Sequence, residues 1–143
     1  MIHPSFAVTR GGATAPASRT EYRPGVCNIG PAEIARRRLA GHIGVLATVF
    51  VFVVLLVIGA PSILRFLLVL PAAAAASGYL QAWLKFCAGF GSHGVFNFGA
   101  VGESQTVVDQ EARRRDRRRA NQIGLASLLI GVAVALAAFL LPL

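Results

Sequence analysis

The sequence is poor in acids. Six Asp and Glu stand against fourteen Lys and Arg in 143 residues, a formal net charge of +8. Three apolar blocks, Gly41–Ala60, Ile63–Trp83 and Ile123–Leu143, hold no Asp or Glu, and Arg65 is their only charge. That excludes a carboxylate acid–base site within them. It also argues against a self-contained pump or channel, because transporters and proton relays keep ionisable groups inside the membrane. Charged residues make up only 14% of the chain, against about a quarter in soluble domains, so little remains from which to build a soluble core. Cysteine is scarce too. Cys27 and Cys87 are too few for a disulfide framework. No P-loop and no G-x-S-x-G occurs. Residues 89–99 are glycine-rich, but a phosphate cradle also needs a following helix with a Lys or Ser/Thr partner.

What is present is long hydrophobic runs. Each block is near the roughly 20 residues that a spanning helix needs, and none is periodic along one face. In lipid the backbone must satisfy its own hydrogen bonds, so the blocks read as helices. The fold expected is an all-α integral membrane protein with three transmembrane helices, spans about 41–60, 63–83 and 123–143. Gly59-Ala60-Pro61-Ser62 predicts a tight helical hairpin between the first two, since Gly ends helices and Pro starts them. Pro71 is expected to bend the second span. Arg65, one turn into it, is expected to extend its stem toward the outer headgroups. Tyr79 and Trp83 read as an interfacial aromatic belt.

The flanks differ in character. Residues 1–26 are rich in Gly, Ala, Pro, Ser and Thr and read as a disordered tail, too poor in apolar bulk to offset ordering. Residues 27–143 form the membrane domain, with a helix starting at Pro31 and Glu33 in its first turn. The loop 85–122 opens with Gly and Phe alternating too irregularly for a helix or strand. It is expected to lie at the membrane surface with its phenylalanines in lipid or on the bundle. It closes with a polar, helix-compatible stretch. Asn28-Ile29-Gly30, the acid at Glu33 and Arg37 ahead of an apolar helix resemble the start of a family of small uncharacterised bacterial inner-membrane domains. The likeness covers about ten residues and implies a membrane location and nothing about activity.

Arginine sets the topology. Arg36, Arg37 and Arg38 precede the first span; Arg113, Arg114, Arg115, Arg117, Arg118 and Arg119 precede the third. Two spans separate the clusters, so they share a side, and the positive-inside rule makes that side cytoplasmic. The N-terminus is then in the cytoplasm and the C-terminus outside, in a plasma (inner) membrane. Both clusters read as topology anchors on anionic lipid headgroups rather than nucleic-acid contacts. Gly78, and Ser127, Gly131 and Ala135 at every fourth residue, read as helix-packing positions.

Two functions compete. The first is a non-enzymatic accessory or assembly subunit that packs, through those small-residue faces, against a larger membrane complex or against itself, with no cofactor. The alternative is a metal- or haem-binding redox protein using Cys27, His42, Cys87 and His93, all placed near the cytoplasmic boundary. Cys and His are the ligands of zinc and haem iron, but neither C-x-x-C nor H-x₃₋₅-H spacing occurs, so packing would have to assemble the site.

Overall fold

A computed structural model describes residues 21–143. Of the tail expected over residues 1–26, residues 1–20 lie outside the described residues. The described residues are mostly helical, and among them three helices are long and apolar enough to cross a membrane by length and composition. Helix α1 runs Pro31–Val57, a 3-10 helix spans Ser62–Leu68, and α2 continues it over Val69–Leu84. A short α3 (Ala88–His93) and two-residue strands β1 (Val95–Phe96) and β2 (Gln105–Thr106) follow, and α4 takes Gln110–Leu140.

Helix α1 begins at Pro31, where the missing N–H has no intrahelical partner to lose. It ends in a Schellman turn. Gly59 sits at φ 63°, its N–H donates to the Leu56 carbonyl, and the Ala60 N–H donates to Leu55. Pro61 then opens the return. The second span changes helix type where a bend was expected. It starts as a 3-10 helix and becomes α-helical at Val69, which puts Pro71 in the first turn of α2 rather than in its interior. The tighter turn ahead of Pro71 accommodates a ring that would clash with the Leu67 carbonyl in a regular α-helix.

Helix α2 lies between α1 and α4 and packs on both. Its contacts are close because small residues line them. A Cβ on Gly78 would stand 2.7 Å from the Gly41 Cα, and one on Gly44 would stand 2.6 Å from the Ala75 Cα. A Cβ on Gly131 would stand 2.6 Å from the Val69 carbonyl oxygen. Ser127, Gly131 and Ala135 are buried on the same face of α4. The small-residue faces expected to meet a partner are therefore used inside the chain.

Two further expectations give way. Residues 21–26 belong to the folded part: Arg23 and Cys27 form a bridge around Gly25, and the Tyr22 ring stacks on Phe96 with centroids 4.7 Å apart. The segment after α2 is ordered rather than an irregular surface loop, and of the two places expected for its phenylalanines Phe86 takes the bundle. It folds as α3 and the β1–β2 hairpin, with Phe86 fully buried against Ala120 and Ile123. The polar stretch ahead of Ile123 is continuous with the third span, in one helix of 31 residues.

Candidate functional site

Most of the buried polar residues gather at the basic end, where α1 and α4 begin and α2 ends. Asn28 is the centre of a knot. Its side-chain amide donates to the Cys87 carbonyl at 3.0 Å, and its side-chain oxygen accepts the Cys87 N–H at 2.6 Å. Its main-chain carbonyl accepts the Asn97 N–H, and the Asn97 carbonyl accepts the Gly30 N–H. One residue therefore ties the entry to α1 to the chain on either side of α3. Asn97 completes the knot by donating from its amide to the Ala100 carbonyl at 2.7 Å and, at 3.5 Å, to Glu33 Oε1.

Glu33, only 1% exposed, stands in the first turn of α1, where the helix dipole favours an acid. Its Oε2 is 3.9 Å from the guanidinium nitrogens of both Arg36 and Arg37. Arg37 also donates to Cys87 Sγ at 3.0 Å, and the same sulfur accepts the Phe90 N–H at 3.4 Å, capping α3. Cys27 is buried separately with its thiol 3.8 Å from the Ile29 carbonyl oxygen, and burial pushes that thiol above its ordinary pKa.

Asp116 holds the second knot. It is fully buried on α4 and accepts the Tyr22 hydroxyl and the Gly25 N–H, each at 2.7 Å. Burial first, and then that carboxylate, push the Tyr22 phenol well above its ordinary pKa of 10.0. At the opposite end of the bundle Arg65 is 3% exposed and donates to the carbonyls of Ala138, Leu141 and Leu143. It closes the C-terminal end of α4 instead of extending to headgroups.

The four sulfur and imidazole candidates do not converge. Cys87 is engaged by Arg37. His42 is exposed on α1, with Nδ1 2.6 Å from the Tyr79 hydroxyl. His93 Nδ1 lies 2.8 Å from the Gly89 carbonyl oxygen of its own short helix. Among the described residues no three Cys, His, Asp or Glu side chains form a group that would hold a metal ion. Gly89, Gly91 and Gly94 do stand at G-x-G-x-x-G spacing, but they lie in and cap α3 and do not form a loop between strand and helix.

The arginines divide by role. Arg113 donates from Nε to the Val107 carbonyl at 2.6 Å and packs over Gly94. Arg115 pairs with Glu111 at 3.4 Å, and its Cβ covers Gly25. Arg36, Arg38, Arg114, Arg117 and Arg118 are exposed, and Arg119 lies half-buried beside Gln122. Sequence reading did not single out Asn28, Asn97 or Asp116 as organising residues. The available signals were slight: a lone acid inside an arginine run, and two asparagines beside apolar segments.

No family model, curated protein or solved structure matches the chain.

Proposed function

We propose that the protein is a multi-pass integral membrane protein with its basic end in the cytoplasm, acting as a non-enzymatic accessory or assembly subunit. One observation carries the reading: α1 and α4 each pack on α2 and leave an open apolar hollow between them. The hollow measures about 290 Å³ and is lined by Thr48, Val49 and Phe52 of α1, by Leu68 at the end of the 3-10 helix, and by Val134, Ala137, Ala138 and Leu141 at the end of α4. It is fit to receive one or two apolar side chains of a partner's membrane helix lying across it. Small residues on its wall favour close approach, the main source of helix association in lipid. The knots around Asn28 and Asp116 support the same reading, because they spend their polar groups on holding the basic end in one shape.

The test is native mass spectrometry of the protein extracted in a mild detergent from its own membranes. The wild type is expected within a larger assembly, and Ala137→Trp, which fills the hollow, is expected alone yet still inserted. A wild type that emerges alone overturns the reading.

A further inference from the structure

We infer that the arginines at the basic end act at two heights, and that the lower tier is a binding belt for the phosphates of anionic phospholipids. The inference rests on the membrane reading above. Gly78 packs on Gly41 and on the Arg37 carbonyl, and Leu80, Leu84 and Phe86 pack with Ala120 and Ile123, so the Arg37–Gly41 turn of α1 and Ile123 of α4 lie at about one level, from which the Arg37 side chain reaches outward to Cys87. From Arg38 to Val57 is about 28 Å of helix and from Ile123 to Leu140 about 26 Å, each close to the hydrocarbon thickness of a bilayer. That level is therefore the boundary between lipid tails and headgroups.

Charge is sorted about it. Arg36 and Arg38 on α1, Lys85 at the end of α2, and Arg117, Arg118 and Arg119 on α4 lie within about 10 Å of the boundary along their helices, inside a headgroup layer of roughly 5–8 Å with the reach of the side chains added. No exposed acid shares the tier: Glu33 and Asp116 are buried. The exposed acids Glu21, Glu103, Asp109 and Glu111 belong with the chain farther out, where Arg113 and Arg115 are already engaged. Glu111, for instance, is roughly 18 Å of helix beyond Ile123. The outer tier is a mixed surface, whereas the inner tier is cationic throughout. Anionic headgroups complement the inner tier, and arginine suits phosphate oxygens because its planar fork donates in pairs.

Trp83, the single tryptophan, is 80% exposed and two residues from Lys85, so it reports on this tier. The protein is reconstituted in vesicles of phosphatidylcholine and phosphatidylglycerol, with one lipid or the other brominated near the head of its chains, and Trp83 quenching is read. Brominated phosphatidylglycerol is expected to quench more strongly. Arg118→Gln with Arg119→Gln is expected to lower the relative affinity of the anionic lipid roughly tenfold or more, and added salt to lower it as well. Arg114→Gln with Arg115→Gln, in the outer tier, is expected to leave it unchanged. Equal quenching by both lipids in the wild type, or equal effects of the two double variants, overturns the belt. No quenching by either lipid overturns the membrane reading itself, and the belt with it.

Discussion

Single residues at the basic end carry more than their positions in the sequence suggest. Asp116 interrupts an arginine run and reads there as a charge breaker. Folded, it is the acceptor that pins Tyr22 and Gly25, residues more than 90 positions away. Asp116→Ala leaves two donors without an acceptor and is expected to cost about 1.5–3 kcal/mol, the range for hydrogen bonds to a charged group. The check is thermal unfolding in detergent, together with faster hydrogen exchange at the Gly25 amide. The alkaline limb of stability follows from two shifts of the same sign. Cys27 and Tyr22 both have folded pKa values raised above their ordinary 9.0 and 10.0. The unfolded chain therefore loses these protons first. Their contribution is present in full below about pH 9 and falls as pH rises through the alkaline range. Tyr22→Phe, which keeps the stack on Phe96, is expected to flatten the part of that fall above about pH 10, read as the pH dependence of the unfolding midpoint.

Elements show where the sequence was legible and where it was not. The long helices are set by composition and length, which lie on the surface of the sequence. The turn at Gly59–Pro61 is set by two residues whose backbone preferences need no context. The segment 85–109 was opaque because its order comes from distant partners: Asn28 for Cys87 and Asn97, and Ala120 and Ile123 for Phe86. No local period announces such pairings. The same holds for Arg65, whose acceptors lie 73 or more residues away. Arg65→Met keeps an apolar stem but removes every donor, so the last turn of α4 is expected to fray. Hydrogen exchange confined to that turn checks this. At the α2–α4 contact, Gly131→Leu is expected to destabilise the fold by about 1–3 kcal/mol or more, because its Cβ meets backbone that cannot yield. On the same helix nothing stands within 4 Å of a Cβ at Gly124, so Gly124→Leu is expected to be tolerated. Thermal unfolding of the two variants side by side separates packing from hydrophobicity.

At the scale of the molecule the two ends differ in kind. One end is an ordered, arginine-rich headpiece stitched by Asn28, Asn97 and Asp116; the other is a short apolar turn and the end of α4 closed by Arg65. A bilayer reads that asymmetry as orientation, because translocating a dense arginine cluster is costlier than translocating a short neutral turn. The orientation proposed above can be tested without disturbing the fold, because both native cysteines are buried. Ser92, exposed on α3, stands at the headpiece, and Ser62, exposed at the start of the 3-10 helix, stands at the opposite turn. Ser92→Cys is expected to react with a membrane-impermeant maleimide only after the cells are opened, and Ser62→Cys in intact cells. The reverse pattern would place the headpiece outside. Labelling of both from one side would mean that α1 and α2 do not cross as a hairpin, and the topology argument from the arginines would fail with it.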